Sequence, residues 1–363
     1  MNVPDYYLLH AYSSHNSGDG LLVKLSLKAI RASGVTRTVT VVCLDKASFE
    51  GYLDDANVKL ISLGEFLRRR VRDLVSRRRT VYFGVGGGYL RASSGLEGWK
   101  SLIAHGSQIL ASSYGGPSRR IYFPQSVGPF DTFAGKALAR IVRNHVERIF
   151  LRDDKSVSEL SHPGATRTGD LVVLEIAREA EAGTLRRARA AAPPLYLVFR
   201  DLQGKPYRDA YIERIRGLMT LLPNAKLAVQ ARGRGNSDDV FYREHLGVDN
   251  AVMLKDVLAQ RDAIVVSVRL HGSLESVLAG VPSVHLAYER KGRAAFSDLG
   301  LDDLVFHASD FDPVAVANAV QLLEKGDEDY WTRIESNVQR SHQHFVEAIK
   351  DELRTFDNAD HGR

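Results

Sequence analysis

Two neighbouring residues in the second half of the chain have side chains suited to binding an anion. Arg269 and His271 follow the apolar run IVVSV at 264–268, and the helical pattern SLESVLAG follows them. If the chain stays extended there, both side chains point to one side, because side chains alternate along a strand. A guanidinium, an imidazole and a helix N-terminus would then meet at one site that suits a phosphate or a carboxylate.

A third basic residue, Arg200, ends the corresponding apolar run LYLVFR. Burying several cations without an anionic ligand is unfavourable, so the three residues together predict a ligand site. Two other interpretations remain open at this point. A strand-terminal arginine often pairs with a nearby carboxylate, and a lone histidine is often structural.

In the first half of the chain, glycines and polar residues follow several candidate strands. The three consecutive glycines of GVGGGYL are costly in entropy unless their backbone approaches something closely. They fit neither the Walker pattern nor the dinucleotide-binding pattern. The loop HNSGDG has the simpler alternative of ordinary turn chemistry. The candidate residues in this half are Asn16, Asp19, Gly86, Gly87, Gly88, Gln125, Ser126 and Arg152.

Strands alternate with helical patterns along the chain, which predicts parallel sheets wrapped by helices. The alternation is interrupted at 176–194, a charged, helix-forming stretch that ends in two prolines and is interpreted as a linker. We therefore expect an N-terminal domain over 1–175 and a second α/β domain over 195–330. Closing helices over 331–355 and a disordered tail over 356–363 complete the prediction.

The composition is that of a globular protein, with 363 residues, 44% apolar and 26% charged. No segment approaches the length of a membrane span, and the single Cys43 forms no intrachain disulfide, so the cytoplasm is the expected compartment. No zinc-binding or metalloprotease pattern and no G-x-S-x-G motif occur, which argues against a metal site and against a serine nucleophile. We expect activity to persist in the presence of a chelator.

A basic segment lies at 65–79, with seven arginines between Arg68 and Arg79. Leu67, Val71, Leu74 and Val75 fall at helical spacing, which predicts an amphipathic helix with a basic outer face. A solvated helix face explains this pattern. A contact with anionic lipid headgroups at the inner face of the plasma membrane, or with a pyrophosphate-bearing substrate, explains it as well. The chain has no nucleic-acid-binding motif or aromatic platform, so a nucleic-acid partner is not expected.

Taken in order, these motifs resemble those of the polysaccharide pyruvyl transferase family. The resemblance spans 16–301 and is most specific from the Arg-Leu-His triplet at 269–271 to Tyr288 and Lys291. It implies an α/β, glycosyltransferase-B-like fold, in which two Rossmann-like domains with parallel sheets face a cleft. The matching segments are NSGDG, GVGGGYL, PQSVGPF, FLRDDKSVSEL, TGD ending at Asp170, LVFR, and RLHGSLESVLAGVPSVHLAYERKGRAAFSDLGL.

The resemblance also implies a reaction, which is transfer of a pyruvyl group from phosphoenolpyruvate to hydroxyls of a saccharide, with no cofactor. Donor-site residues by analogy are Arg200, Arg269, Leu270, His271 and Lys291, with His271 and Arg269 catalytic. Tyr288 and the glycine-rich N-terminal loops would face the acceptor. Our hypothesis is that His271 protonates the methylene carbon of the donor, with Asp19 as base and Asp170 as the alternative base. Gly20 departs from the family pattern, in which a larger, often acidic residue follows the Gly-Asp pair.

Two rival functions are weighed against this one. A nucleotide-sugar glycosyltransferase of the same fold often has two glutamates eight positions apart, but Ser267 and Ser283 occupy those positions around Glu275. A non-catalytic saccharide-binding member would be expected to lose the arginine and histidine set, which is present here. The acceptor sugar, its attachment to a lipid, the ketal or enol ether nature of the product and the oligomeric state are left open.

Overall fold

The computed structural model describes residues 4–73, 78–90, 96–186, 193–232 and 237–358, with backbone only for 96–98. The chain divides into two compact units. The N-terminal unit comprises Met1–Leu171 and Gln343–Arg363, and the C-terminal unit comprises Val172–His342. Each unit contains one parallel sheet, as the alternating sequence pattern predicts.

The N-terminal unit contains a seven-stranded sheet in the order β3-β2-β1-β4-β5-β6-β7. All its strand pairs are parallel, and a strand such as β4 is buried along its whole length because helices cover both faces. The strands are β1 Asp5–Ala11, β2 Val39–Cys43, β3 Val58–Ser62, β4 Thr80–Gly84, β5 Ser118–Gln125, β6 Arg148–Leu151 and β7 Ala165–Arg167.

Helices connect these strands, and several begin at a residue whose side chain caps the free N–H groups of the first turn. Asn16 caps α1, and Asp153 caps the helix that follows β6. The helices are α1 Ser17–Ala32, α2 Lys46–Phe49, α3 Leu63–Arg72, α4 Leu96–Ser101, α5 Ser107–Ser112, α6 Phe133–His145 and α7 Asp154–Leu160, with a π-helical turn at Leu102–Gly106.

The C-terminal unit contains a six-stranded parallel sheet in the order β10-β9-β8-β11-β12-β13. Its strands are β8 Leu195–Val198, β9 Lys226–Val229, β10 Val252–Met253, β11 Ile264–Ser267, β12 Ser283–Ala287 and β13 Val305–His307. Its helices are α8 Leu171–Glu181, α9 Arg208–Leu221, α10 Asp238–Phe241, α11 Leu254–Gln260, α12 Leu270–Leu278, α13 Arg290–Asp298, α14 Pro313–Lys325 and α15 Glu328–Val338, with a π-helical turn at Tyr242–Leu246 and a 3₁₀ turn at Asp302–Leu304.

The last helix, α16 (Ser341–Asn358), packs on the N-terminal unit although it is the C-terminal end of the chain. The ring of Phe345 lies 5.6 Å from that of Phe123 and 4.8 Å from that of Phe150. Arg119 forms an ion pair with Glu352 of this helix. The expected tail at 356–363 therefore begins within α16, and 359–363 lie outside the described residues.

The expected linker at 176–194 differs from the structure at its start. Helix α8 continues to Glu181, and the division between the units falls after Leu171. The helix-forming composition that suggested a linker forms this helix instead, because Val172, Val173 and Ile176 give it an apolar face that is buried. Residues 187–192 lie outside the described part of the chain.

The basic segment at 65–79 does not form one amphipathic helix. Helix α3 ends at Arg72, and Val71, which was expected on the apolar face, is 68% exposed. Arg70 is buried instead and donates to the carbonyl oxygens of Ala111 (3.2 Å) and Tyr114. Among the described arginines of the segment, Arg68, Arg72 and Arg78 are exposed, whereas Arg79 is buried and bonds to Phe356 and Asp357. Leu74, Val75 and Arg77 lie outside the described residues.

Candidate functional site

Two neighbouring strands of the C-terminal unit, β8 and β11, end at the same level of the sheet, and the adjacent β12 continues beyond it to Ala287. Ser267, the last residue of β11, pairs with Val198 of β8 on one side and with His285 of β12 on the other. Arg200 and Arg269 each follow this level by two residues. Because adjacent strands are about 4.8 Å apart, both arginines leave the same carboxyl edge close together.

Arg269 does not extend the strand as the sequence suggested. It is the N-cap of α12, which begins at Leu270, so the expectation of an extended chain from 269 to 271 is wrong. The guanidinium turns inward, with Nε 3.0 Å and Nη2 2.5 Å from Oδ1 of Asp238. Arg269 and His271 do not share a face, since residues two apart at a helix start point in different directions.

Asp238 completes a buried ion pair with Arg269. Its Oδ2 accepts the backbone N–H groups of Gln230 and Ala231, each at 3.0 Å. Burial raises the pKa of Asp238, and Arg269 with the two backbone donors opposes that shift. The pair therefore ties the start of α12 to the connection between β9 and α10. The alternative left open for a strand-terminal arginine, pairing with a nearby carboxylate, is the one found for Arg269.

His271 is the second residue of α12 and is partly exposed. The next residue, Gly272, lets the helix start approach the sheet, because a Cβ there would lie 2.8 Å from both Gln230 Oε1 and Ser267 Oγ. The first N–H groups of a helix have no acceptor within the helix, and the helix dipole adds partial positive charge there. His271 and the backbone of Leu270 therefore lie where an anion is stabilised.

Arg200 is partly exposed and contacts Tyr288, the residue after β12. Its Nη1 donates to the hydroxyl of Tyr288 at 2.9 Å, and its guanidinium carbon lies 5.4 Å from the centre of that ring. The backbone of Arg200 is fixed by the buried Tyr211, whose hydroxyl donates to the Arg200 carbonyl oxygen at 3.2 Å. Lys291, in the first turn of α13, forms an ion pair with Glu289 at 2.8 Å.

The carboxyl edge of this sheet thus presents four partly exposed polar side chains, those of Arg200, His271, Tyr288 and Lys291. Two are cations, one is a phenol and one is an imidazole, a group that can donate or accept a proton. Charge-assisted hydrogen bonds to a phosphate or carboxylate are the chemistry that this set supports best. Proton transfer by the imidazole is the second.

The corresponding residues of the N-terminal unit are engaged in internal bonds. Arg152, 4% exposed, forms an ion pair with Asp170, and its Nε donates to Ser126 Oγ at 2.8 Å. Ser126 in turn donates to Asp153 at 2.7 Å. Arg152, Ser126 and Asp170 were predicted to face the acceptor or to act as base, but the structure uses them to join the ends of β5 and β6 to the segment before α8.

The glycines of GVGGGYL are explained by close packing within the same unit. A Cβ on Gly86 would lie 2.5 Å from Leu171 Cδ1, and Gly87 has a φ of +151°, a conformation that side chains disfavour. The buried Gln125 donates from Nε2 to the carbonyl oxygen of Val85, which holds this loop along the end of β5. The structure therefore gives Gly86 and Gly87 a packing reason, and Gly88 is the partly exposed member of the run.

The loop before α1 leaves its polar side chains more accessible. Asn16 is exposed, accepts from the Gly18 N–H at 3.3 Å as the helix cap, and donates from Nδ2 to Asp19 at 2.9 Å. Asp19 is partly exposed. Of the predicted acceptor-side residues in this unit, Asn16 and Asp19 are the side chains that a ligand can reach.

The N-terminal unit also contains a buried histidine pair that the sequence did not predict. His10 has a φ of +71°, and its Nδ1 lies 3.1 Å from Nδ1 of His105, while its Nε2 lies 2.6 Å from the hydroxyl of Tyr122. Burial lowers the pKa of His10 well below its usual value and that of His105 to about 4. Both rings are neutral near pH 7, so one Nδ1 donates and the other accepts.

The sequence model of the family "Polysaccharide pyruvyl transferase" matches residues 16–290, which is most of the chain. The chain belongs to the polysaccharide pyruvyl transferase family. The match begins at the cap of α1 and ends at the start of α13, so it includes both polar strand edges described above. No curated protein matches the chain in a sequence search.

Solved structures similar to this pyruvyl transferase family member include several UDP-N-acetylglucosamine 2-epimerases, and they show the glycosyltransferase-B-like fold. A putative enzyme from Listeria monocytogenes aligns with a TM-score of 0.57 and 11% identity over 98% of both chains. The enzyme from Methanocaldococcus jannaschii aligns with a TM-score of 0.53 and 10% identity, over 93% of this chain and 98% of its own. The S. aureus MnaA structure with UDP aligns with a TM-score of 0.52 and 10% identity, over 98% of this chain and 97% of its own.

The departure of this family member at Gly20 has a local cause. A Cβ on Gly20 would lie 2.5 Å from the hydroxyl oxygen of Tyr52, whose ring also contacts the ammonium of Lys24 at 4.3 Å. A larger residue after the Gly-Asp pair therefore requires Tyr52 to move. Tyr52 occupies the space that such a side chain would take.

Sequence reasoning missed Asp238 and His10, each for a different reason. Asp238 lies in GNSDDVF, where two adjacent acidic residues at a helix start look like solvated first-turn charges. His10 lies inside the apolar strand DYYLLHAY. A histidine in such a strand indicates a buried hydrogen-bond partner, but residue spacing alone does not identify that partner. Within the described ranges, no group of three histidine, cysteine, aspartate or glutamate residues is arranged to hold a metal ion.

Proposed function

We propose that this protein transfers a pyruvyl group from phosphoenolpyruvate to two hydroxyls of a saccharide and forms a cyclic ketal. The observation that carries the proposal is the edge of the C-terminal sheet, where Arg200, His271, Tyr288 and Lys291 remain partly exposed within a chain of this family. Phosphoenolpyruvate combines a phosphate and a carboxylate, the two groups that such side chains bind best.

In the proposed donor site, the phosphate lies at the start of α12 and the carboxylate lies against Arg200. The backbone N–H groups of Leu270 and its neighbours donate to the phosphate, as helix N-termini do for many anions. Lys291 adds a second cation, and Tyr288 fixes the orientation of the Arg200 guanidinium through the 2.9 Å bond. Arg269 acts as a positioning residue, because its bidentate bond to Asp238 holds α12 in place.

In the proposed reaction, His271 donates a proton to the methylene carbon of phosphoenolpyruvate. The double bond is consumed, a methyl group forms and positive charge develops on the adjacent carbon. One saccharide hydroxyl bonds to that carbon, and its proton restores His271. The bond between this carbon and the phosphate oxygen then breaks, the second hydroxyl attacks, and its proton leaves with the phosphate as hydrogen phosphate.

The acceptor hydroxyls also need a base. Asp19, which is partly exposed beside the Asn16 cap, remains the candidate that takes the proton of the second hydroxyl and passes it to the departing phosphate. The Arg152–Asp170 ion pair leaves Asp170 poorly suited to this role, since a carboxylate bound to a guanidinium is a weak base. We propose that the acceptor is a saccharide of a polysaccharide or of its lipid-linked precursor.

Donor binding is the first test, and Arg200 is a better probe than Arg269. Removing Arg269 would leave Asp238 buried without its partner, so lost binding would be confounded with lost stability. We expect calorimetry to detect saturable phosphoenolpyruvate binding in the unaltered protein and a loss of about tenfold or more in Arg200→Ala, since a hydrogen bond to a charged group contributes about 1.5–3 kcal/mol. Arg216→Ala removes an exposed arginine elsewhere in the same unit and should bind normally.

The same titration with UDP- and GDP-sugars tests the rival function. A nucleotide-sugar glycosyltransferase would bind one of these donors tightly and would not bind phosphoenolpyruvate. The S. aureus MnaA structure with UDP has a similar fold, but at 10% identity that likeness concerns the fold alone. Tight nucleotide binding in the absence of phosphoenolpyruvate binding would refute the proposal.

The role of His271 is tested by turnover and by isotope incorporation. With saturating donor and a reactive saccharide, His271→Gln should bind phosphoenolpyruvate but lower turnover by about 10²–10⁴, the usual contribution of general acid catalysis. In D₂O the unaltered enzyme should place one deuteron in the product methyl group, whereas an enol ether product would retain a methylene group. Near-normal turnover of His271→Gln would exclude this residue as the acid.

A further inference from the structure

Three large apolar side chains lie together on the surface of the N-terminal unit. Trp99 is 48% exposed, Ile103 67% and Phe133 78%. The rings of Trp99 and Phe133 are 6.2 Å apart, and the elements that carry them, α4, the π-helical turn and α6, pack against each other. Leu322 on α14, 65% exposed, is another apolar side chain at the surface and lies in the C-terminal unit.

The exposed side of α6 that begins with Phe133 continues with basic residues. Lys136 and Arg140 lie three and seven positions later, so they are on the same side of the helix, and both are exposed. The opposite side carries the buried residues Ala134, Leu138 and Val142. Helix α6 therefore has an apolar side that faces the core. Its exposed side carries one aromatic residue followed by two basic residues.

The described side chains of α4, the π-helical turn and α6 include several cations and no carboxylate. Lys100, Lys136 and Arg140 have no carboxylate within 4.0 Å in the described part of the chain. Asp131, exposed before the start of α6, is the one described carboxylate that lies near Phe133 in sequence. These cations, which lie beside exposed aromatic rings, are complementary to a surface in which anionic groups cover an apolar layer.

We propose that Trp99, Ile103 and Phe133, with Lys100, Lys136 and Arg140, form a docking face for an anionic phospholipid bilayer. Tryptophan and phenylalanine insert at the level of the headgroups, and lysine or arginine on the same face bind anionic lipids. The face uses residues different from the basic segment Arg68–Arg79, in which Arg70 and Arg79 are bound within the unit. It does not depend on the pyruvyl transfer chemistry. No helix in the described residues is long and apolar enough to span a membrane, so the contact would be peripheral.

The protein contains its own reporter for this contact. It has two tryptophans, and Trp331 is only 2% exposed, so a change at the surface affects Trp99. We expect vesicles of phosphatidylglycerol and phosphatidylcholine to shift the tryptophan emission to shorter wavelength and to sediment with the full-length protein. Vesicles of phosphatidylcholine alone should bind at least tenfold more weakly, since each basic residue near an anionic surface contributes about fivefold in affinity. Trp99→Phe should abolish the emission shift.

Matched variants decide which surface is used. Phe133→Ser and the double change Lys136→Glu with Arg140→Glu should each lower vesicle binding by about tenfold or more, and both sites are exposed, so folding should persist. Leu322→Ser is the apolar control, and Arg68→Glu with Arg72→Glu is the basic control; both should bind normally. The proposal is overturned if anionic vesicles do not bind, if the α6 variants bind normally, or if the α3 variant alone loses binding.

Discussion

The strand edges of the two units contain similar residue types but use them differently. In the N-terminal unit, Arg152 is 4% exposed and bonded to Asp170 and Ser126. In the C-terminal unit, Arg269 is bonded to Asp238 in the same way, but Arg200 on the neighbouring strand remains partly exposed. An arginine after a parallel strand is therefore not in itself a ligand-binding residue, and burial with a carboxylate partner distinguishes the two roles.

The difference also locates the groups able to do chemistry. His10 and His105 in the N-terminal unit are buried against each other and kept neutral, whereas His271 is partly exposed at a helix start. A buried neutral imidazole fixes the structure through its two hydrogen bonds. A partly exposed one beside an anion site is able to exchange protons with a substrate. The comparison favours donor chemistry in the C-terminal unit.

The largest expected effect separates the two arginines by stability. Arg152→Ala leaves Asp170 buried without its partner and should lower the free energy of unfolding by about 3–5 kcal/mol. Arg200→Ala loses a bond to Tyr288 at a partly exposed site and should cost about 1 kcal/mol or less. Denaturant unfolding followed by circular dichroism measures both. Equal losses for the two variants would show that Arg200 is as structural as Arg152 and would weaken its assignment to the donor site.

The next prediction concerns the free energy of unfolding at acidic pH, which depends on buried histidines of both units. Burial lowers the pKa of His105 and of His285 from 6.5 to about 4. The unfolded chain then binds protons at higher pH than the folded chain, so the stabilisation is complete above pH 6.5 and falls as the pH drops toward 4. One pKa unit corresponds to about 1.36 kcal/mol, so each histidine should account for about 3 kcal/mol over this range.

Replacement of His105 tests that assignment directly. His105→Gln should reduce the slope of unfolding free energy against pH between 6.5 and 4, although it lowers stability at pH 7. His344→Gln, which changes an exposed histidine of α16, should leave the slope unchanged. A slope that is the same in His105→Gln and in the unaltered protein would mean that His105 is protonated at its usual pH.

The fold was predictable from the sequence because apolar strands and helical patterns alternate regularly. The apolar runs LYLVFR and IVVSV contain β8 and β11, but β7 (Ala165–Arg167), β10 (Val252–Met253) and β13 (Val305–His307) were missed because they are too short to show a period. The buried face of α3 was assigned wrongly because Arg70 turns inward to carbonyl groups of a distant segment. No local pattern encodes that contact.

The candidate site was predictable only in its residue types. The sequence placed Arg200, Arg269 and His271 after strands of one sheet, and the register of β8 with β11 brings two of them to the same level. It did not reveal that α12 starts at Leu270 or that Asp238, thirty-one positions earlier, pairs with Arg269. Partners that are distant in sequence decide which cation is available, and single-sequence spacing does not contain that information.

A smaller effect is expected from the hydroxyl of Tyr288. Tyr288→Phe removes the 2.9 Å bond to Arg200 but keeps the ring below the guanidinium, so phosphoenolpyruvate affinity should fall about fivefold, as for one hydrogen bond of about 1 kcal/mol. Tyr122→Phe removes the 2.6 Å bond to His10 and should lower stability without changing donor affinity. Calorimetric titration of both variants checks this. Weakened donor binding in Tyr122→Phe alone would move the donor site toward the N-terminal unit.

The smallest effect is expected at Gly20, where this chain differs from the family pattern. Gly20→Asp places a Cβ 2.5 Å from the hydroxyl oxygen of Tyr52, but that atom is the end of a flexible side chain, so the cost should be about 1 kcal/mol. Adding Tyr52→Ala should remove most of this cost, and a double-mutant cycle of thermal or denaturant unfolding measures the coupling. A coupling energy above about 0.5 kcal/mol would show that Tyr52 and Gly20 form a matched pair. If the two changes are additive, Tyr52 moves freely. The presence of glycine at position 20 then has another explanation, such as the accessibility of Asp19 to a saccharide.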